Sequence, residues 1–218
     1  MFLSIVLAVL CFCCRALANP DQQSFPDMVF TVLKEHDPLF VEKIEGNLST
    51  LKYTLYNSTI VGSKNCEIKN FKANKDETAV QLELHCSSIT LMGDYDTNGR
   101  LIALNVEGHG GYSIISGKYK ITIDFELTKA QGKDGKTHLA IKNFKIKCEG
   151  LSANKYNFKN LFNGQKELSD ALDKFIDDNW KEVDSFVEEP AWTAIIKKVI
   201  LHTNDYLKDV PLENIVLK

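Results

Sequence analysis

The stretch from Asn160 to Leu207, NLFNGQKELSDALDKFIDDNWKEVDSFVEEPAWTAIIKKVILHTNDYL, constrains this chain more than any other. Large apolar residues fall at Leu168, Leu172, Phe175, Ile176, Trp180, Val183, Phe186 and Val187, in steps of three and four that place them on one stripe of a helix. Asp170, Asp173, Lys174, Asp177, Asp178, Lys181, Glu182 and Asp184 take the opposite face. Asn163-Gly164 marks the start to within a few residues, since Lys166 completes no capping box. Pro190 lacks a backbone donor and its ring clashes with the preceding turn, so the helix is predicted to kink or restart there. Beyond it, Ala191, Trp192, Ala194, Ile195, Ile196, Val199, Ile200 and Leu201 cover most of the circumference and predict burial on most sides. About 40 helical residues would span about 60 Å, longer than the interior of a compact globule of this size. Two arrangements are open at this point: a core helix in an ordinary α+β domain, or a helix along the axis of an elongated molecule.

Residues 51–148 supply a surface for that helix, because their period switches to two. From Gly117 to Lys129, Tyr119, Ile121, Ile123, Phe125 and Leu127 alternate with Lys120, Thr122, Asp124, Glu126 and Thr128, giving one apolar and one wet face. Val80, Leu82, Leu84 and Cys86 repeat the pattern, as do Phe144, Ile146 and Cys148 after a slip near Asn143 that marks a bulge. Asn98-Gly99 and Asp134-Gly135 sit between apolar runs and predict two-residue hairpin turns, the first flanked by strands over Ser88 to Met92 and Leu101 to Val106. No repeat or linker interrupts the series, so strands and helix share one core. The expected fold class is α+β, a strongly curved antiparallel sheet wrapped around one long, proline-kinked C-terminal helix, which buries the apolar face of each.

Residues 1–18 read as a secretory leader: an apolar run from Phe2 to Cys14, then Arg15 and the small-residue pattern Ala16-Leu17-Ala18. Residues 19–218 are then expected to form a single secreted, soluble domain. That domain holds 25 basic and 29 acidic residues, about −4, with Arg100 its sole arginine, so the basic patches and arginine forks of nucleic-acid recognition are missing. Asn47-Leu48-Ser49 and Asn57-Ser58-Thr59 are sequons, making Asn47 and Asn57 candidate glycosylation sites.

Catalytic and metal chemistry find no footing. Asp94 to Gly99 imitates the start of a calcium loop, but the twelfth position is Asn105 where a bidentate Glu is required, and the flanks read as strands. His36, His85, His109, His138 and His202 form no ligand spacing, and no GxSxG or phosphate loop occurs. Gly108-His109-Gly110-Gly111 lies inside a strand pattern and is read as a bulge. His85 and Cys86, as strand neighbours, point to opposite faces. The expectation is a protein that is not an enzyme and needs no cofactor or metal.

Residues Asn160 to Val183 closely resemble the signature of the takeout and haemolymph juvenile hormone-binding family of insects. Gly93 to Ile114, Lys133 to Lys147 and the tail Lys208 to Leu217, KDVPLENIVL, agree with it, so the similarity runs from about Asp37 to the C-terminus. The resemblance implies a secreted carrier whose curved sheet and long helix enclose an apolar tunnel for a terpenoid or fatty lipid. The departure is at the N-terminus, where members carry a longer leader to the first strand and a cysteine pair; Asn19 to Phe40 is short and has no cysteine.

The leading expectation is therefore a monomeric extracellular carrier of a small hydrophobic ligand, a juvenile-hormone-like terpenoid or a fatty acid or other lipid. The alternative is an extracellular interaction protein on the same scaffold with a side-chain-filled interior. Inward strand parity and the helix stripe nominate Leu82, Leu84, Ile121, Ile123, Phe144, Ile146, Phe175, Trp180 and Trp192 as cavity lining. Of the cysteines outside the leader, Cys66 shares parity with Ile68 and Cys86 with Leu82 and Leu84. A five-residue loop from Asn74 to Thr78 would pair positions summing to 152, setting Cys66 opposite Cys86 for a disulfide and leaving Cys148 a buried free thiol. The competing bond, Cys86 to Cys148, requires the last strand to return beside the one carrying Cys86.

Overall fold

The period-two segments pair into two antiparallel sheets in the computed structural model, which describes residues 22–217; the leader expected at residues 1–18 lies outside them. In chain order the strands are β1 (Gln23–Ser24), β2 (Leu39–Leu48), β3 (Leu51–Val61), β4 (Glu67–Ala73), β5 (Ala79–Ser87), β6 (Thr90–Leu101), β7 (Leu104–Ile115), β8 (Lys118–Gln131), β9 (Thr137–Gly150), β10 (Lys155–Phe158) and β11 (Ile215–Val216). One curved sheet has five strands in the order β10-β7-β6-β3-β2, the other four in the order β4-β5-β8-β9, and β1 pairs parallel with β11. Helices α1 (Phe25–Glu35), α2 (Lys166–Asp178) and α3 (Trp180–Leu207) complete the chain. Buried residues of both sheets, α1 and α3 form one continuous cluster, the shared core that the periodicity demands.

The helical break expected at Pro190 lies elsewhere. Asn179, at φ −124° and ψ 25°, separates α2 from α3, and α3 continues across Pro190 for 28 residues, about 42 Å. Pro190 cannot donate to the Phe186 carbonyl. At the next residue the Tyr53 hydroxyl, from β3, donates to the Val187 carbonyl at 2.8 Å, so the sheet supplies a donor where the proline disturbs the ladder.

Two turn readings shift. Asn98-Gly99 is not a hairpin turn but part of β6; the chain reverses at Ile102-Ala103, between the paired Leu101 and Leu104, with Ile102 at φ +55°. Gly99 is used instead for a close approach: at φ +136°, a Cβ there would fall 2.3 Å from the Thr50 carbonyl, to which the Arg100 N–H donates. The glycine-rich run in β7 holds unbroken register with β6, so it is no bulge. A Cβ on Gly110 would stand 2.8 Å from the Lys159 carbonyl, and on Gly108 3.0 Å from the Leu161 Cα, so these glycines admit the crossing segment 159–161. The slip expected near Asn143 is present, where Glu126 pairs with Asn143 and Leu127 with Ile141. The Asp134-Gly135 reversal also stands, as a longer loop between the paired Gln131 and Thr137.

The disulfide joins Cys66 to Cys86, and Cys148 is a free, half-buried thiol. The register reached this pairing by a different route from the one expected. Next to the loop, Ala73 pairs with Val80, one position off; a bulge between Ile68 and Asn70 then restores Ile68 to Leu84 and Glu67 to His85, which sets Cys66 opposite Cys86.

Helix α1 had no counterpart in the strand and helix periodicities above. Ser24 caps it by accepting from the Asp27 N–H, Pro26 stands in its first turn, and Phe25, Met28, Val29, Val32 and Leu33 form its buried face. The Phe25 ring lies 6.0 Å from both Phe71 of β4 and Phe125 of β8, and the His36 ring stacks on His202 of α3 at 3.7 Å.

Candidate functional site

The four-stranded sheet turns an apolar row inward, and α1 and α3 fill the space before it. Leu82 pairs with Ile123 and Ile123 with Ile146; Leu84 pairs with Ile121; Phe125 pairs with Phe144. All of these but Phe125 are among the nine residues nominated as lining, six in number, and the structure does bring them together. Leu82, Leu84, Ile121 and Ile123 are packed core, Leu82 and Ile121 with no exposed surface, and Phe144 and Ile146 are half-buried against it. Trp192, also nominated, is buried with its ring 5.1 Å from Tyr119, while Phe175 and Trp180 are half-buried.

The cavity lies at the other sheet, and none of the nine residues lines it. It measures about 420 Å³ and runs between the five-stranded sheet below and α2 with the first half of α3 above. Its floor is Leu51, Tyr53 and Leu55 of β3, Tyr95, Thr97 and Leu101 of β6, Val106 and Ile114 of β7, and Tyr156 and Phe158 of β10. Its roof is Ser169, Leu172, Asp173 and Ile176 of α2 with Val183, Val187 and Ala191 of α3. Both levels follow from pattern: the floor residues share inward strand parity, and the roof uses the helical stripe that the sequence shows. The physical reason for the misplaced site is α1. Its buried face fills the interior beside β4 and β8, where Phe25 meets Phe71 and Phe125, and it contributes no residue to the cavity at the five-stranded sheet.

The helix α2 that roofs the cavity buries only Leu172 and Ile176 and packs on α3 and on the turn before it, standing off from the strands. That turn holds Asn160, Phe162, Asn163 and Gly164, all at positive φ. Asn179 breaks the helix at its other end. A second, more open depression of about 660 Å³ adjoins the cavity through the shared residues Val106 and Leu172 and is bordered by Arg100, Glu107, Phe162 and the exposed Leu168.

Polar groups at the cavity wall are held by the protein itself. Tyr95 donates to the Lys159 carbonyl at 2.9 Å, and Tyr156 donates to the Asp184 carboxylate at 2.8 Å. Burial holds the phenols of Tyr53 and Tyr156 well above the ordinary tyrosine pKa, so both remain protonated donors. Asp184, 2% exposed on α3, also accepts from Asn154 at 2.9 Å and from Tyr119 at 3.4 Å. Asp173 is raised above the ordinary carboxylate range by burial, then by Asp170 and Asp177. Among the described residues no cluster of His, Cys, Asp and Glu could hold a metal ion.

The three tyrosines were open to sequence reading. Tyr95 and Thr97 alternate with Asp94, Asp96 and Asn98, but assigning a turn at Asn98-Gly99 removed the second half of β6 from the strand and with it their parity.

No curated protein sequence matches this chain. Among solved structures, Epiphyas postvittana Takeout 1 matches with a TM-score of 0.76 and 27% identity, over 82% of each chain. A lipopolysaccharide binding protein matches at 12% identity and a TM-score of 0.43, over 84% of this chain and 37% of that one, too distant in shape to bear on the site. The family described as haemolymph juvenile hormone binding protein matches residues 26–217, which takes in α1 as well as the region from Asp37 onward. On that match and on the shared takeout fold, the chain belongs to the haemolymph juvenile hormone binding protein family.

Proposed function

We propose that the protein is a secreted, monomeric carrier of a small hydrophobic ligand, a terpenoid or fatty lipid, without catalytic chemistry of its own. The observation that carries this reading is the apolar cavity between the five-stranded sheet and α2, whose volume of about 420 Å³ falls in the range of ligand pockets. Membership of the haemolymph juvenile hormone binding protein family supports it. Transferring an apolar chain gains about 0.8 kcal/mol per CH₂, so a 15-carbon guest gains about 12 kcal/mol before the costs of association. Asn47 and Asn57 are both exposed and would carry glycans on the secreted protein.

Titration with the fluorescent probe N-phenyl-1-naphthylamine tests the carrier reading. Wild type is expected to bind it in the micromolar range, and Ala191→Trp, which sets an indole in the cavity roof, is expected to lose most of that binding. Equal binding by both proteins, or none by wild type, would refute the reading. Mass spectrometry under native conditions, on protein from its natural source, would then name the retained lipid.

A further inference from the structure

β10 closes the five-stranded sheet at one edge, and its register shows which backbone groups that edge leaves free. The Lys159 N–H donates to the Gly111 carbonyl at 2.9 Å, continuing the register in which Lys155 faces Ile115 and Asn157 faces Ser113. In an antiparallel ladder, opposed residues that exchange both bonds alternate with pairs that exchange none. Lys155, Asn157 and Lys159 therefore turn their N–H and C=O groups toward β7, and Tyr156 and Phe158 turn theirs away from it. No strand lies beyond β10 to take these four groups up. Among the described residues, no turn or loop backbone reaches them either.

The cavity extends to this edge. On β3, β6 and β7 it is lined by residues of the inward face alone, whereas on β10 it touches Asn157 as well as Tyr156 and Phe158. The Asn157 side chain is exposed on the opposite face, so the cavity meets that residue at its backbone. Apolar wall and free strand edge thus border one space. An extended residue presents its N–H and C=O side by side, and a head group that takes both needs an acceptor and a donor in the same arrangement. Tyr156 and Phe158 are about 7 Å apart along the strand, so a small head group pairs with one of them. A primary carboxamide meets the demand: its oxygen accepts from the N–H, and its hydrogen on the same side donates to the C=O. An ester brings acceptors only and leaves the strand carbonyl without a donor. A carboxylic acid, ionised at neutral pH, also lacks the proton and sets its charge against that carbonyl.

We infer that the guest is a primary fatty amide, its chain in the cavity and its carboxamide paired with the backbone of Tyr156 or Phe158 at the edge of β10. The inference rests on the carrier reading and narrows it. The test is displacement of bound N-phenyl-1-naphthylamine by dodecanamide, methyl dodecanoate and dodecanoic acid at pH 7.5. Dodecanamide is expected to compete about fivefold more tightly than either of the others, the fold-change of one added hydrogen bond between neutral groups. Hydrogen exchange followed by NMR locates the head group. With dodecanamide bound, exchange at the Tyr156 or Phe158 amide is expected to slow by more than at Asn157, whose N–H is already in the ladder. Ester or acid competing as tightly as the amide overturns the inference and leaves the carrier reading standing, as does exchange at Tyr156 and Phe158 that the amide leaves unchanged. Failure of the probe to bind at all overturns both.

Discussion

Replacing Glu188 with Gln is expected to stabilise the protein by an amount that grows as pH rises from about 4.5 to about 7 and is absent at lower pH. Glu188 stands one turn after Asp184 on α3, its Oε2 atom buried without a hydrogen-bond partner. Burial first, then the charges of Asp184 and Glu189, raise its pKa from 4.5 to about 7. A carboxyl raised in this way contributes its full share of stability below the unfolded value of about 4.5, and loses it as pH climbs through 7 and the buried group is forced to ionise. The gap corresponds to about 3 kcal/mol at about 1.4 kcal/mol per unit. Glu188 keeps some contact with solvent, which screens the charge and reduces the expected effect to about 1–2 kcal/mol. For a chain of this size that is about 3–6 °C in Tm. Thermal melts of wild type and Glu188→Gln at pH 4, 6 and 8 give the measurement: coincident Tm values at pH 4, and the variant higher by that amount at pH 8. A difference that is the same at all three pH values, or absent at pH 8, would refute the reasoning, because an uncharged packing effect has no reason to follow the titration.

Four other substitutions and one labelling experiment probe separate parts of the fold. Cys86→Ser opens the bond to Cys66 across a separation of 20 residues and is expected to cost about 3 kcal/mol in urea unfolding, with an unaltered slope of the native baseline. Tyr53→Phe removes the donor to Val187 beside Pro190 and is expected to cost about 1–2 kcal/mol; an unchanged midpoint would show that the Val187 carbonyl finds another partner. Gly110→Ala places a methyl 2.8 Å from the Lys159 carbonyl at φ +147° and is expected to lower Tm by several degrees, whereas Gly135→Ala has open space around it and costs only the strain of φ +78°. The Cys148 thiol, pushed up to about 12 by burial and then by Glu188 and Glu189, is expected to react with a disulfide reagent at pH 8 only after the protein unfolds.

The parts of the fold written in simple periods were legible. Alternation through β5, β8 and β9 identified the inward face residue by residue, and the stripe through Leu172, Ile176, Val183 and Val187 identified the helical roof. The disulfide was legible because an error and a bulge cancelled: the loop sets one register and the extra residue Lys69 corrects it. The cavity was not legible, for a reason of composition. Both sheets present apolar inner faces, and which of them is covered depends on an 11-residue helix near the N-terminus. Its own signal was present in Ser24, Pro26 and the spacing of Met28, Val29, Val32 and Leu33, but it is short enough to pass for a leader to the first strand. Asn98-Gly99 misled differently. The pair serves a β6 position where Thr50 crowds the backbone, and the chemistry that permits a positive φ is the same whether the chain turns or another strand comes near.

The helix over the cavity is joined at one end by a run of left-handed residues and at the other by the Asn179 break, with two buried side chains holding it down. A segment anchored so lightly opens at a rate and to an extent fixed by its own contacts, before any guest arrives. Uptake through that opening scales with the fraction of time α2 is lifted, a factor common to every guest. Molecules of unequal affinity would therefore load at similar rates and differ in how long they stay, and a carrier built this way selects by residence time.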